Sequence, residues 1–452
     1  MNGRIAVIGA GPAGFYAADQ LLKAGFEVDL LDRLPTPYGL VRAGVAPDHP
    51  KIKSVTRVYD KTAAGPGFRY FGNVELGRDV TREELLARYH AVMYTVGTAM
   101  DNRLGISGED LRGSHAATEF VAWYNGHPDF ADRTFDLTHP RAVVIGAGNV
   151  AVDVARMLVL AADELAATDT ADHALSDFGV SEVRDVVLLG RRGPAQAAFT
   201  TPELRELGEL SQADVAVSAD DVDLDPLSAE WLETHGDGTA KRNVALLREY
   251  AARAATGKSH RVALRFLTSP VEILGDEDGR VRGLRVVRNR IEAGADGRLR
   301  AVPAGEEEVI ECGLVLRAVG YRGEPIPGVP FDAARGLIPN VDGCVVGDDG
   351  EPLPGEYAAG WIKRGPSGVI GTNKKCAAGT VAHVVADAEA GHLRDPDAPM
   401  TEDWLRERVP ALVTWTGWTQ IDEHEQQAGA AAGRPRVKLV RIEDMARIGA
   451  PR

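Results

Sequence analysis

Cysteine is scarce in this chain and thinly spread. The 452 residues carry Cys312, Cys344 and Cys376 and no others. These form no C-x-x-C pair and no metal-ligand spacing. A redox-active dithiol of the disulfide-reductase kind is therefore excluded, and so is an iron–sulfur centre held by the chain's own thiols. Scattered reduced thiols, and an apolar strand that begins at Arg4 and leaves no room for a signal peptide, predict a cytoplasmic protein. Long apolar runs are also missing. No stretch approaches the roughly eighteen residues a membrane helix needs, so no segment is expected to span a bilayer. Positive charge is in deficit, 51 Lys and Arg against 66 Asp and Glu, for a net charge of −15. That balance argues against general nucleic-acid binding, although it leaves room for a local basic patch. The length exceeds one average domain, so two or more are expected.

Glycine, by contrast, is placed with purpose. Arg4-Ile5-Ala6-Val7-Ile8 is an apolar run of strand length, followed at once by Gly9-Ala10-Gly11-Pro12-Ala13-Gly14 and a helical run that Gly25 stops. This is G-x-G-x-x-G between a strand and a helix, the setting in which the motif signifies dinucleotide binding. Gly9 permits the tight turn, Gly11 lets the backbone approach a pyrophosphate, and Gly14 lets the helix pack against the strand. The helix start offers free N–H groups and a positive dipole end. A second strand, residues 27–32, ends in Asp32, at about the ~20-residue spacing of an acid that grips an adenosine ribose.

The pattern returns at residues 141–151. Arg141-Ala142-Val143-Val144-Ile145 leads into Gly146-Ala147-Gly148-Asn149-Val150-Ala151, with Ala at the packing position. The next strand, residues 185–189, ends in Gly190-Arg191-Arg192-Gly193 and not in an acid. Arginine at that point is the device for a 2′-phosphate, so this second site is expected to take NADP(H). With one of two dinucleotide sites NADP-like, the economical assignment is FAD first and NADPH second. Hydride transfer between them requires the nicotinamide within about 3–3.5 Å of the flavin. Since the chain has no cysteine pair or cluster of its own, the electrons must leave to an external acceptor: oxygen, a small molecule or a carrier protein.

Between these landmarks, residues 33–51 form a loop rich in proline and glycine that contains His49, suited to cover a cofactor at the edge of a parallel sheet. Residues 68–80 read as strands around a Gly72-Asn73 turn, and residues 152–167 as one helix. Residues 264–288 read as strands around a turn at 275–279. Residues 91–98 and 313–320 are strands ending in glycine and mark crossings between domains. Residues 220–237 hold seven acids and no Lys or Arg, and read as a solvated acidic face. Lys241, Arg242, Arg248, Arg253, Lys258, Arg261 and Arg265 then face only Glu249. Residues 357–373 form a strand, a glycine-rich turn and a helix start that could face the polar edge of a flavin ring. Arg434-Pro435-Arg436-Val437-Lys438 reads as a basic arm or a solvated tail.

Four stretches together resemble the adrenodoxin reductase family, most closely its bacterial NADPH–ferredoxin reductases. They are Gly39-Leu40-Val41-Arg42 through Gly44-Val45-Ala46-Pro47-Asp48-His49-Pro50-Lys51, Gly148 to Arg156, Gly190-Arg191-Arg192-Gly193-Pro194, and Gly360-Trp361-Ile362-Lys363-Arg364-Gly365-Pro366 through Asn373. The resemblance implies an α/β fold of glutathione-reductase-like architecture with two Rossmann-like dinucleotide-binding domains. The FAD domain is discontinuous (1–105 and 323–452) and the NADP domain (106–322) is inserted. It implies an NADPH–ferredoxin oxidoreductase. An NADPH-dependent flavoprotein oxidase or monooxygenase, and a non-catalytic cofactor-binding subunit, are the alternatives. It also implies that Gly9, Gly11, Pro12, Ala13, Gly14, Asp32, Gly39, Leu40, Val80, Gly360, Trp361, Gly368, Val369 and Ile370 contact FAD. Gly148, Asn149, Val150, Ala151, Arg191, Arg192, Glu203 and Gly368 are implied to contact NADP(H). His49 and Glu206 fall beside the nicotinamide. An acidic ferredoxin is the implied partner, with Arg248, Arg253, Lys258 and Arg261 as docking residues. Asn102 stands where the family often carries an acid or a histidine before an arginine, here Arg103.

Overall fold

The computed structural model describes residues 3–450. It divides into two compact units. One takes the chain up to Met100, Asn125–Ala131, and everything from Gly320 on; the other takes Asp101–Tyr124 and Asp132–Val319. Both crossings fall slightly earlier than the expected 105/106 and 322/323. A short excursion, Asn125–Ala131, returns to the first unit because its side chains are tied there. Asn125 accepts a hydrogen bond from Lys438 (3.1 Å), and Asp129 pairs with Arg33 (2.5 Å).

The first unit is built on an eight-stranded sheet. Its centre is parallel, running Pro352–Ala358, Ala91–Tyr94, Arg4–Ile8, Glu27–Asp32 and Phe68–Gly72 side by side, with antiparallel strands at both edges. Its strands are apolar at nearly every position because both faces are covered. Ile5, Val7, Val28 and Leu30 pack on one side with Phe15 and Leu21 of helix Pro12–Lys23 and Val381 and Val384 of helix Ile370–Ala390. Ala6, Ile8, Leu31 and Val92 pack on the other with Leu85, Val345 and Leu405. Pro12 opens its helix at the first turn, where the missing N–H costs nothing. Two inward positions carry acids instead, Asp29 and Glu356, and both are saturated with donors. The fully buried Asp29 accepts hydrogen bonds from Arg4 (2.7 Å), from both ends of the Arg69 guanidinium (2.8 and 2.6 Å) and from the Tyr89 hydroxyl (2.8 Å). Glu356 accepts from Arg82 (2.7 Å) and from the Tyr94 hydroxyl (2.8 Å).

The second unit has a six-stranded sheet, parallel throughout, in the order Ser114–Ala116, Leu314–Arg317, Arg141–Ile145, Asp185–Leu189, His260–Arg265, Ala213–Val217. A three-stranded antiparallel meander, Thr268–Gly275, Val281–Ala293 and Leu299–Glu311, stands beside it. Three local expectations change. Residues 68–80 give one strand, ending at Gly72, and then only an isolated bridge between Leu76 and Val80. The helix predicted over 152–167 is two, Asn149–Met157 and Ala162–Ala166, because Glu164 reaches back to the Ala161 N–H and starts a new helix there. The acidic stretch 220–237 is not simply a wet face. Asp225 and Asp237 cap the helices Pro226–Thr234 and Gly238–Ala252, and Asp221 is buried against Arg288.

All three cysteines are free thiols, and burial pushes the Cys312 thiol up to about 12. Among the described residues, no helix is long and apolar enough to cross a membrane.

Asp29→Ala takes the carboxylate from the Arg69 guanidinium and the Tyr89 hydroxyl at once and leaves Arg4 with Glu27 alone. It is expected to destabilise the first unit by about 3 kcal/mol, the low end for breaking a buried ion pair because both arginines are partly exposed. Urea unfolding followed by fluorescence of the tryptophans in that unit measures it.

Candidate nucleotide-binding sites

In the first unit the strand Arg4–Ile8 delivers the chain to a turn held from several sides. Gly9 N–H donates to the Leu31 carbonyl (2.7 Å) and Ala10 N–H to Asp32 (2.7 Å). A methyl group on Gly14 would lie 2.1 Å from the Gly9 carbonyl oxygen, so only glycine lets the helix close on the turn. A methyl group on Gly11 would meet nothing within 4 Å. The turn is therefore crowded beneath Gly14 and open over Gly11, the shape of a phosphate cradle. Each oxygen of Asp32 accepts one backbone N–H, from Ala10 and from Leu34 (2.9 Å), and each keeps a lone pair for a hydroxyl. Burial pushes the Asp32 carboxyl up, and those two N–H groups oppose the rise.

Of the other residues expected at FAD, Gly39 and Gly360 touch this turn. Gly39 lies against it: a methyl group there would come within 3.0 Å of the Gly11 Cα. Leu40 is 47% exposed, and Val80 is packed in the core with its carbonyl taken by Gly77 N–H. Gly360 lies on Ala13, where a methyl group would meet the Ala13 side chain at 2.6 Å. Trp361 stacks on Tyr321 with ring centroids 6.2 Å apart, and its buried indole N–H has no partner among the described residues. A buried donor of that kind fits an acceptor on a bound aromatic cofactor. Gly368 and Val369 lead into helix Ile370–Ala390, whose start carries no acidic residue. His49 is buried just ahead of the short helix Pro50–Lys53, its N–H bonded to the Ala46 carbonyl.

In the second unit the same design recurs with a different end. Gly148 precedes helix Asn149–Met157, and a methyl group on it would meet nothing within 4 Å. Ala151 at the packing position is fully buried, and Val150 lies half-buried in the helix's first turn. Residues 198–200 dock on the turn, with Ala198 N–H on the Ala147 carbonyl and Thr200 N–H on the Asn149 side chain (both 2.7 Å). At the end of strand Asp185–Leu189, Arg191 and Arg192 are held by their carbonyls, from Asn289 Nδ2 (2.8 Å) and Leu267 N–H (3.1 Å). Their exposed guanidinium groups have no hydrogen-bond or ion-pair partner among the described residues. Burial and then the charge of Arg191 lower the Arg192 pKa. Two adjacent guanidinium groups without a carboxylate partner suit a phosphate monoester.

Helix Thr201–Leu207 carries Glu203, buried, and Glu206, more exposed. Both face Asp153 and Arg156 of helix Asn149–Met157. Burial first, then Glu203 and Glu206, push the Asp153 carboxyl well up, even with Arg156 at 2.5 Å. Asp153 and Asn289 are site neighbours that sequence reading does not single out. Asp153 was visible inside the Gly148–Arg156 motif, whereas Asn289 reaches the arginine loop from a strand 98 positions on.

Two basic segments differ from expectation. Lys241 pairs with Glu233 (3.3 Å), Arg261 with Asp185 (2.9 Å) and Arg265 with Glu308, so distant acids neutralise part of the run. Arg261, expected at the docking face, is held by two hydrogen bonds to Asp185. Arg242, Arg248, Arg253 and Lys258 have no acidic partner among the described residues, although Arg253 lies over the Tyr250 ring and Lys258 donates to the Leu210 carbonyl. Arg434–Lys438 is neither arm nor tail: Arg436 pairs with Asp422 (2.6 Å) and Glu425 (3.1 Å), and Lys438 is buried. Arg103 pairs with Asp110 (2.6 Å) and Glu109 (3.4 Å), and so is committed within its own unit.

Known proteins resemble this arrangement over its whole length. Residues 3–188 match the family described as pyridine nucleotide-disulphide oxidoreductase. The NADPH-ferredoxin reductase FprA of Mycobacterium tuberculosis is 48% identical, covering 98% of both chains. The mitochondrial NADPH:adrenodoxin oxidoreductase of Arabidopsis thaliana is 42% identical, over 98% of this chain and 94% of its own. The solved structure of M. tuberculosis FprA in complex with NADPH superposes with a TM-score of 0.93 at 47% identity, covering both chains fully. With paired phosphate cradles and kinship that runs from end to end, the chain belongs to the adrenodoxin reductase family.

Proposed function

We propose that this chain is an NADPH–ferredoxin oxidoreductase that holds FAD in its first unit and NADP(H) in its second. The observation that carries the reading is the pair of phosphate cradles, of which only the second ends in two unpartnered arginines. FAD supplies the conversion between two-electron hydride chemistry and single-electron transfer. The chain's own residues do the rest. The Gly9–Gly14 turn holds the pyrophosphate, and Asp32 takes a ribose hydroxyl. The Trp361 N–H and the start of helix Ile370–Ala390 offer donors to the flavin's polar edge, where negative charge develops on reduction. The Gly148 turn holds the second pyrophosphate, with Asn149 tying residues 198–200 to it. His49 and Glu206 are the residues we assign to orienting the nicotinamide. The free thiols are in keeping with a cytoplasmic setting.

Purified protein tests the whole reading. It should be yellow, bleach with NADPH without oxygen, and pass electrons to a ferredoxin much faster than to oxygen. Preference for oxygen would point to an oxidase or monooxygenase, and failure to bleach to a cofactor-binding scaffold.

Nucleotide choice follows from the two arginines. Each charge-assisted contact is worth about 1.5–3 kcal/mol. Arg191→Ala with Arg192→Ala should therefore raise KM for NADPH by at least about tenfold and leave KM for NADH nearly unchanged. Equal losses for both nucleotides would make the arginines structural.

Positioning by His49 and Glu206 predicts that His49→Gln or Glu206→Gln slows anaerobic flavin reduction by NADPH in stopped flow while FAD content stays full. Loss of FAD from the His49 variant would instead assign that residue to holding the flavin loop.

For the acceptor, the local positive face must prevail at short range over a net charge of −15, because charges act over only about 8 Å at physiological ionic strength. With Arg261 neutralised, Arg248 and Arg253 are the better probes. Arg248→Glu with Arg253→Glu should raise KM for ferredoxin several-fold and flatten its salt dependence, while ferricyanide reduction is unaffected. An unchanged ferredoxin KM would remove this face from docking.

A further inference from the structure

The flavin loop is fastened by residues from the far end of the chain. Tyr38 and Gly39 both have left-handed backbone, φ 85° and 49°. For a tyrosine that conformation costs free energy and persists only where the surroundings impose it. The strained pair is what brings the loop onto the phosphate cradle: Tyr38 N–H donates to the Ala10 carbonyl (2.8 Å), and Gly39 closes on Gly11.

What imposes it comes from helix Trp415–Ala431 and the strand-like segment behind it. Glu425 is fully buried, and its carboxylate is saturated with donors. It accepts from the two ends of the Arg42 guanidinium (2.5 and 2.8 Å), from Arg436 (3.1 Å) and from Leu439 N–H (2.8 Å). Lys438 donates to the Arg42 carbonyl (3.2 Å) and so grips the loop a second time. Two turns before Glu425 on the same helix, Trp418 lies under the Arg42 guanidinium at 5.5 Å and donates its indole N–H to the Tyr38 hydroxyl (3.2 Å), which in turn donates to Asp60. Arg42 and Glu425 are 383 positions apart in sequence.

We propose that Glu425 is a positioning residue for FAD, which acts through Arg42 to hold the Tyr38–Arg42 loop against the Gly9–Gly11 cradle. Core stability alone does not call for this arrangement, since a well-packed apolar contact would serve a buried site as well or better than an ion pair. A bidentate carboxylate–guanidinium contact adds fixed direction, and here the direction is spent on a loop whose backbone is strained toward the cradle. The proposal rests on the reading of that cradle as the FAD site.

The test is FAD binding to apoprotein by wild type and Glu425→Gln, which keeps the shape and loses the charge. The variant's FAD dissociation constant should rise about tenfold or more. Binding of 2′-phospho-AMP by the second unit should stay within about twofold and report that the protein is folded. Glu425→Asp, which restores the charge, should recover part of the loss. Trp418→Phe removes one neutral hydrogen bond to the same loop and should weaken FAD about threefold. It carries the test by the same criterion if Glu425→Gln does not accumulate in folded form. A folded variant with a lowered melting temperature and wild-type FAD affinity would overturn the proposal and leave Glu425 a stabilising residue only. Wild-type protein that takes up no FAD would sink the functional reading itself.

Discussion

Everything in the first unit is arranged around one close approach, that of helix Pro12–Lys23 to the carbonyl of Gly9. No side chain fits between them. Because the helix sits that low, its first N–H groups converge over Gly11, where the backbone is bare. The sheet beneath must then be buried on both faces, since the helix covers one side and the Leu85 and Leu405 packing covers the other. Asp32 at the end of the second strand falls beside the turn for the same reason: strand register pairs Ile8 with Leu31 and places the next residue at the cradle's edge. The second unit reuses the approach with Ala151 in place of the third glycine and changes only what stands at the end of its second strand. A carboxylate there can accept hydroxyls. Two guanidinium groups there suit a dianion.

The parts legible in the sequence were those whose cause is local. A strand, a glycine turn and a helix follow one another between Arg4 and Lys23, and the steric demand at Gly14 is set by the Gly9 carbonyl of the same turn. Arg191 and Arg192 were legible by charge type alone. What was not legible depends on partners far along the chain. Lys241, Arg261 and Arg265 look like an unbalanced basic run until Glu233, Asp185 and Glu308 are brought to them. Asp225 and Asp237 look like solvent-facing acid until the helices they cap are seen. Arg436 and Lys438 look like a free arm until Glu425 and Asn125 claim them. Composition reports the charges in a window, and only the fold reports which of them have been spent inside the molecule.

The same contrast separates the residues of the nucleotide sites from those that hold them. Cradle residues are small or glycine and announce themselves by spacing. Supporting residues such as Asn289, Asp153, Trp418 and Glu425 are ordinary in sequence and distinctive only by burial and by the number of hydrogen bonds they complete. The Arg191 loop shows the division of labour well, with carbonyls fixed from behind and side chains left to face solvent.

The discontinuity of the first unit also sets an order of events during synthesis. Its phosphate turn is made within the opening residues, but the strand that flanks Ala91–Tyr94 in parallel is Pro352–Ala358, the helix that covers Phe15 and Leu21 is Ile370–Ala390, and the sheet's far edge is Val413–Thr414. The second unit needs nothing outside Asp101–Tyr124 and Asp132–Val319 to complete its sheets. On the ribosome, then, the nucleotide unit translated later can mature while the one begun earlier still exposes an unfinished sheet edge and half-covered apolar strands. Of the two units, the one begun earlier is the later to be completed, and until its last strands arrive its nascent form exposes unpaired sheet edges.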